Sequence, residues 1–366
     1  DGAVLVTCNG TQVLVTVCSS REVKDGQDFF PLTVEYQERF YAAGKFLGGF
    51  MKRETKPSTQ ETLNARLIDR PLRPLFPEGY MFDTVVVAQV LSYNEKGDPE
   101  VLAGLGAGAA CTISDIPFNG PVGTCKVARI DGKFVLNPDH SEWANSDMEL
   151  AVSASKDAIL MVEGEAQELP EAELLKAINF AHENIKEFCE VVRKMQLEVG
   201  KKKREFVPST PNTTLFEKVE AKFATEARAC LEVNDKLERQ KTIKKLEHKI
   251  AEELKANFAN YALTESSKFS VEAFKVTDAL MYKIMRKDIL DKGKRIAGRP
   301  VDKVRPIETE TSVLIAPHGS SLFTRGETQV LATVTIGGSK GDQMSDRIVG
   351  LSYDKFYLHY NFPGYS

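Results

Sequence analysis

The chain contains nearly the same strand twice, and this internal repeat constrains its fold more than any other feature. The first copy reads NGTQVLVTV over residues 9–17, and the second reads RGETQVLATV over residues 325–334, with the shared TQVL run 317 residues further on. An FP pair follows each copy, in DFFPLTV (28–34) and in YNFPGYS (360–366). The repeat predicts a β-rich unit, a spacer, and the start of the same unit again.

The first 115 residues predict strands and helices in alternation. Residues 1–20 predict two strands joined by a tight Asn-Gly turn. Residues 58–68 predict a helix that starts at a Ser or Thr cap and ends at Pro71 and Pro74. The run EVLAGLGAGAACTI (100–113) does not match the GxGxxG nucleotide loop, so we expect a helix packed closely on a sheet.

The centre of the chain has a helical sequence pattern between two β-rich segments, and this change of pattern gives the expected domains. Two hairpins precede a long helix over 170–200, and three amphipathic stripes over 213–292 predict an all-α unit. We expect an α+β protein with a first β-rich domain, an all-α domain and the start of a second β-rich domain, over residues 1–205, 206–294 and 295–366. Because a core of this kind needs on the order of 200 residues, the second copy cannot close, and we expect a longer natural protein.

Composition narrows the classes of function. The 48 basic and 52 acidic side chains give a net charge of −4, so any nucleic-acid site must gather its cations locally. No run is long and apolar enough to span a membrane, and the start lacks a signal peptide. None of the six cysteines forms a CxxC pair. We therefore expect buried, reduced thiols, no metal cluster and a cytoplasmic location.

A local basic cluster is the sharpest candidate binding feature. Its cations fall within thirty residues, interleaved with Phe46 and Phe50; they are Lys45, Lys52, Arg53, Lys56, Arg66, Arg70 and Arg73. Basic side chains can contact RNA phosphates while aromatic rings stack on bases. A salt-bridged surface that uses Glu54, Glu61 and Asp69 explains the same pattern. The local sequence leaves both interpretations open.

Longer motifs carry a resemblance to a known family. The stretches FFPLTVEYQERFYAAGK, GGFMKRE, ETLNARLIDRPLRPLFPEGY, IPFNGPVG and PHGSSLFTRGETQVLATV resemble the bacterial polynucleotide phosphorylases, in order along nearly the whole chain. The resemblance implies two RNase PH-like domains separated by an all-α domain, in a homotrimeric ring with a central channel. It also implies that inorganic phosphate, with Mg²⁺, shortens single-stranded RNA from its 3′ end and releases nucleoside diphosphates. RNA-degradation complexes are possible partners.

The same resemblance assigns candidate RNA contacts and favours them over the salt-bridged surface. Family positions at the channel mouth carry two aromatic residues and two basic ones, and Met51 stands here in place of one ring. The residues that match family RNA-handling positions are Phe50, Lys52, Arg53, Lys56, Arg66, Arg70, Arg73 and Arg325. A turn residue paired with Glu327 is the alternative for Arg325.

Catalysis in the family belongs to the second domain, and the first copy departs from its pattern. Glu100-Val101-Leu102 stands where a serine-rich phosphate loop is needed, and Glu100 would repel phosphate. Asp147-Met148-Glu149-Leu150-Ala151 stands where the active pattern has two Asp and a Lys. We expect a catalytically dead first copy, no catalytic residue or metal ligand in this chain, and Mg²⁺ ligands beyond Ser366.

The sequence leaves three candidate functions. The first is a phosphorolytic exoribonuclease, of which this chain alone is inactive. The second is a non-catalytic ring subunit that binds and guides RNA. A hydrolytic nuclease is disfavoured, because no carboxylate cluster with two-metal spacing is present. Two further departures from the family are Ala297, where RIDGR has Asp, and Gly364, where a second Pro is usual.

Overall fold

The computed structural model describes residues 1–24, 27, 29–47, 52–54, 56–206 and 212–365. Packing divides the chain into two compact units. The first unit combines Asp1–Ser209 with Asp342–Ser366, and the second is Thr210–Gly341. These units follow packing rather than the sequence repeat, so the three expected domain boundaries stay a prediction.

A four-stranded sheet opens the first unit. Asn9 and Gly10 both have positive φ, 48° and 85°, which is the geometry of a two-residue hairpin turn. Along the second strand, Val13, Val15 and Val17 are fully buried and alternate with partly exposed residues. The strands are β1 (Gly2–Cys8), β2 (Thr11–Ser19), β3 (Leu32–Glu38) and β4 (Thr84–Ser92), in the order β1-β2-β4-β3, with only β3 and β4 parallel.

The first helix, α1 (Thr59–Leu72), begins as predicted and ends later than predicted. Ser58 caps it by accepting from the Glu61 amide, and the Glu61 carboxylate accepts from the Ser58 amide. The expected stop before Pro71 is wrong, because Pro71 lies inside the last turn. Pro71 and Leu72 are both buried in the core, and that burial offsets the hydrogen bond that a proline cannot donate.

Helix α2 (Pro99–Ile113) packs against the first sheet at close range, as its small residues predict. A Cβ on Gly106 would lie 2.6 Å from the Cγ2 of Val15, and one on Gly108 would lie 2.0 Å from the carbonyl oxygen of Val122. Both distances are below any normal contact. Gly106 therefore lets the helix approach the sheet, Gly108 lets it approach the segment before residue 123, and neither forms a nucleotide loop.

A second antiparallel sheet and a long helix complete the body of the first unit. Both predicted hairpins are confirmed, and helix α3 (Glu171–Val199) buries Ala177, Ala181 and Ile185. The sheet has the order β6-β5-β7-β8, from β5 (Gly123–Ile130), β6 (Lys133–Leu136), β7 (Ser146–Ala154) and β8 (Ile159–Ala166).

The second unit joins three helices to a small sheet. The predicted all-α segment is confirmed, and its core includes Leu215, Phe223, Ile250 and Leu280. The elements are α4 (Thr213–Glu232), α5 (Lys236–Ala256), α6 (Phe269–Lys292), β9 (Ile307–Thr311), β10 (Gly319–Arg325) and β11 (Thr328–Val334), with the strands in the order β11-β10-β9.

The repeat in the sequence is a repeat in the structure. Strands β10 and β11 pair from Gly319↔Val334 to Arg325↔Thr328, and β1 and β2 pair from Gly2↔Val17 to Cys8↔Thr11. Both hairpins have seven residue pairs, offset by 317 positions. Their surroundings differ, since β2 is buried beneath α2 whereas every residue of β11 is exposed.

A last hairpin belongs to the first unit. It is formed by β12 (Gln343–Arg347) and β13 (Gly350–Asp354), and Ile348 at its turn is buried in the core of the first sheet. The second FP segment forms no strand within 355–365, whereas β3 follows the first FP pair. The repeat therefore matches in its hairpins and diverges after them.

The absence of membrane-spanning helices and the state of the cysteines are both expected from composition, and the described part of the chain bears on each. No helix there is long and apolar enough to cross a membrane. The six cysteines are all unpaired; four are buried, but Cys8 and Cys18 are exposed, so the expectation of burial is wrong for these two. Both lie in strands of the first sheet, next to its Asn-Gly turn and on its outer face respectively.

Candidate functional site

The predicted RNA contacts of the first unit lie on one stretch of chain. Lys52, Arg53 and Lys56 precede α1 and are exposed, while Arg66 and Arg70 are exposed on the helix itself. Phe50, together with Met51, lies outside the described residues. The aromatic half of the predicted site is therefore not described, and the whole set stays a prediction.

Ion pairs divide these cations into two groups. Arg70 pairs with Glu163, and Arg73 pairs with Asp69 at 2.8 Å while donating to the carbonyl oxygens of Phe30 and Leu32 at 3.2 Å. The first group therefore fits the salt-bridged surface. The second group has no ion pair with any described residue; it consists of Lys52, Arg53, Lys56 and Arg66.

The carboxylates expected to neutralise that second group are used elsewhere. Glu54 pairs with Arg39, and Glu61 caps α1 while also accepting from the backbone amide of Glu38 at 2.8 Å. Arg53 and Lys56 line a cavity of about 750 Å³ between β3 and the start of α1. The cavity carries both signs of charge, so the exposed cations at its rim are the part suited to a polyanion.

The start of α2 carries the residues that stand where the resemblance predicts a phosphate loop in active copies, and here it is filled by its own side chains. Asp98 Oδ1 accepts from the amides of Glu100 and Val101 at 2.8 and 3.2 Å. These donors are the ones that a helix N-terminus would offer to an anion. The carboxylate of Asp98 therefore occupies the anion position.

Lys126 partly offsets the charge of the acidic side chains around that helix start. Its Nζ lies 3.1 Å from Asp98, 2.6 Å from Glu100 and 3.8 Å from Glu149, and only 12% of its side chain is exposed. Burial lowers the pKa of Lys126, but these three carboxylates raise it by more, so the net shift is upward. We call Asp98, Glu100, Lys126 and Glu149 the first-copy site.

Arg347, from the last hairpin, extends the same charge network. Its Nη2 donates to Glu38 Oε1 at 3.0 Å and lies 3.9 Å from Glu100 Oε1. Lys45 holds the hairpin turn by donating to the carbonyl oxygens of Arg347 and Ile348 at 3.2 and 3.1 Å. Burial raises the pKa of Glu38 above its usual value, and Arg347 opposes that shift.

This arrangement does not fit Mg²⁺. Asp147, one of the two positions at which the active pattern has Asp, is bonded to Arg129, and Glu149 faces Lys126. Ala151 supplies no amine where the family has Lys. No set of three or more His, Cys, Asp or Glu side chains in the described part of the chain is placed to hold a metal ion. We derive no metal-dependent step from the first copy.

Arg325 lies in the second unit and has neighbours that the sequence did not suggest. It ends β10 and lines a pocket together with Arg295, Arg299 and Arg305. The alternative pairing with Glu327 is absent among the described ion pairs, where Glu327 instead lies 3.6 Å from Lys236. The stretch RIAGRPVDKVRPI (295–307) holds three arginines, and this local density of arginine is the sequence feature that could have predicted the cluster.

Lys126 and Arg347 were also missed. Lys126 sits in an ordinary strand pattern, and Arg347 is 309 positions from Glu38. The sequence indicated these cations only indirectly, through the acidic residues, because three carboxylates that lie close together need a nearby cation.

Comparison with known families agrees with the fold. The model described as "3' exoribonuclease family, domain 1" matches residues 1–117 and 303–366, and "domain 2" of the same family matches 120–184. A third model, "Polyribonucleotide nucleotidyltransferase, RNA binding domain", matches 214–300. The chain belongs to the 3′ exoribonuclease family, and the expected α+β arrangement of an RNase PH domain, a helical domain and a second RNase PH start is confirmed.

Curated relatives identify the branch of that family. Polyribonucleotide nucleotidyltransferase of Geotalea daltonii is 44% identical over all 366 residues, and that of Trichlorobacter lovleyi is 45% identical over 366 residues. The chain spans 51% of the length of each. The predicted resemblance to this group is thereby confirmed.

Among solved structures, the Archaeoglobus fulgidus exosome with RNA bound to the active site is similar at a TM-score of 0.43 and 17% identity. The match covers 52% of this chain and 82% of that one, and it is too weak to carry an argument.

Proposed function

We propose that this chain is the first half of a phosphorolytic exoribonuclease that shortens RNA from the 3′ end. The observation that carries the proposal is the 44% identity to a polyribonucleotide nucleotidyltransferase along the entire chain. In the proposed reaction, an oxygen of inorganic phosphate attacks the terminal phosphodiester. The bond to the preceding 3′ oxygen breaks, that oxygen takes a proton, and the last nucleotide leaves as a nucleoside diphosphate.

Within that enzyme, the first copy guides RNA and performs no chemistry. The filled anion position at the start of α2 and the buried charge network support this role, because neither leaves a place for phosphate. Contacts to the RNA backbone come from the cations that have no ion pair with a described residue, Lys52, Arg53, Lys56 and Arg66, with Phe50 as a stacking ring. Arg70 and Arg73 contribute less, since they already have carboxylate partners.

Several finer properties belong to the same proposal. The enzyme uses Mg²⁺ held by residues outside the first copy, and it assembles as a homotrimer around an RNA channel. It works in the cytoplasm and has partners in RNA degradation. The reverse reaction, polymerisation from nucleoside diphosphates, follows from the reversibility of the same phosphoryl transfer.

A non-catalytic ring subunit is the second candidate, and one observation favours it for this chain taken alone. The carboxylates of the first-copy site are already engaged by Lys126. The two candidates differ in whether the longer protein turns over RNA at all.

The deciding experiment uses the longer protein, poly(A), Mg²⁺ and ³²P-labelled inorganic phosphate. Phosphorolysis predicts ADP labelled in its β-phosphate, because the attacking phosphate becomes that group. Release of unlabelled AMP would establish a hydrolase instead. RNA binding without any nucleotide product would establish the non-catalytic subunit.

A further inference from the structure

The second unit contains a pocket with six cationic side chains in its lining. It has a volume of about 510 Å³ and lies among α5, the end of α6, the segment after α6 and the β10–β11 turn. Its cations are Lys236, Arg239, Arg295, Arg299, Arg305 and Arg325. Glu327 is the one carboxylate in the described lining, and it is half exposed. We call this the arginine pocket.

Backbone contacts fix the first two arginines of the 295–305 segment. Arg295 donates to the carbonyl oxygen of Pro300 at 2.8 Å and also to that of Lys303. Arg299 donates to the same Lys303 oxygen at 2.8 Å, and a bridge between Lys294 and Pro300 closes the loop. The two guanidinium groups are therefore held in place by uncharged partners, and neither forms an ion pair with a residue that the structure describes.

The other two arginines arrive with the small sheet. Arg325 is paired with Ile307 across β10 and β9, and the amide of Gly326 donates to the carbonyl oxygen of Pro306 at 2.8 Å. These contacts bring the β10–β11 turn against the segment that carries Arg305. Neither Arg305 nor Arg325 has a side-chain hydrogen bond or ion pair with a residue that the structure describes.

The gathered charges act on one another. Desolvation, and then the positive charges of Arg295, Arg305 and Arg325, lower the pKa of Arg299. Like charges held together by the fold are destabilising unless an anion joins them. An ordinary solvated surface would instead intersperse carboxylates, as the pairs Lys249–Glu226 and Lys283–Glu220 do on the helices of the same unit.

We propose that the arginine pocket binds a phosphate group, carried either by the backbone of an RNA strand or by a free phosphoanion. Guanidinium groups present planar forks of donors that match phosphate oxygens, and several such forks can hold one group. The pocket is wide enough for a nucleotide's phosphate and sugar with water. The assignment rests on the proposed function only through Arg325, which is an expected RNA contact, and it requires neither phosphorolysis nor the cations of the first unit.

The test compares two charge-matched variants of the whole chain. Arg299→Gln with Arg305→Gln removes two charges from the pocket, and Arg286→Gln with Lys245→Gln removes two exposed charges elsewhere in the same unit. Binding of inorganic pyrophosphate is measured by calorimetry, and binding of a fluorescent twelve-nucleotide oligo(A) by anisotropy at several salt concentrations. Circular dichroism checks the folding of each variant. Arg305→Gln alone, which breaks no described hydrogen bond, replaces the double variant if that one unfolds.

We expect the pocket variant to weaken binding about tenfold and the control to change it less than about twofold. Loss of oligo(A) affinity together with a shallower salt dependence assigns the pocket to an RNA backbone. Loss of pyrophosphate affinity alone assigns it to a free phosphoanion. Equal binding of both probes by the pocket variant, the control and the wild type would overturn the proposal. A Lys52→Ala/Arg53→Ala variant, measured in parallel, tests the RNA contacts of the proposed function separately.

Discussion

Replacing Lys126 with methionine tests whether the first-copy site is held together by its own charges. The substitution keeps the length of an unbranched side chain and removes the cation that touches three carboxylates. Two of them, Asp98 and Glu100, are each only 16% exposed, so they lose their counter-charge where water replaces it poorly. Glu149 is 46% exposed and is better screened.

The expected cost follows from that burial. Removing one partner of a buried ion pair costs about 3–5 kcal/mol, and we expect the lower end, about 3 kcal/mol, because Glu149 is partly solvated. Adding Glu100→Gln to Lys126→Met removes the carboxylate nearest the lost cation. The double variant should therefore recover at least about 1 kcal/mol relative to Lys126→Met.

The chain provides its own probe for this measurement. Trp143 is the only tryptophan, and its ring centre lies 6.0 Å from Lys126 Nζ, so its fluorescence reports the first unit during urea unfolding. Lys133→Met, at an exposed position on β6, is the matched control and should cost less than about 0.5 kcal/mol. Equal costs at the two lysines, or no recovery from Glu100→Gln, would refute the charge-network account.

Four further perturbations test other parts of the account. Glu38→Gln should have a higher free energy of urea unfolding than the wild type at pH 7. This difference should narrow as the pH falls through the raised pKa of Glu38, because protonation then removes the buried charge from the wild type. A difference that stays constant with pH would contradict this. Ala297 has a φ of 60°, so Ala297→Asn should raise stability by about 1 kcal/mol in scanning calorimetry, and no gain would refute the strain. Gly108→Ala should cost about 2–3 kcal/mol because its Cβ would meet the Val122 carbonyl, and a neutral result would disprove the close packing. In the longer protein, Glu149→Gln should leave turnover within about twofold, and a severe loss would mean that the first copy takes part in catalysis.

Local chemistry explains what the sequence could predict. The Asn9-Gly10 turn, the Ser58 cap and the small-residue helix over 100–113 each rest on neighbours in the chain, and all three are found. The repeat allowed one prediction over a longer distance, because the hairpin pattern at the start of the chain recurs 317 residues later, where the structure also has a hairpin.

Long-range pairing explains what could not be predicted. Strands β3 and β4 pair in parallel although the segment that contains α1 separates them in the chain, and no local sequence pattern specifies this pairing. Ile348 and Arg347 belong to the second sequence copy but pack in the first unit. The arginine pocket draws on several separate segments, so only folding brings its charges together.

Incubating this chain with poly(A) and Mg²⁺, with and without inorganic phosphate, tests most directly whether the first copy is a guide and not a catalyst. We expect no ADP under either condition, with RNA binding that is retained by the wild type and weakened in Lys52→Ala/Arg53→Ala. Phosphate-dependent ADP from this chain would contradict it, because the first copy would then perform the chemistry that its filled site is argued to exclude.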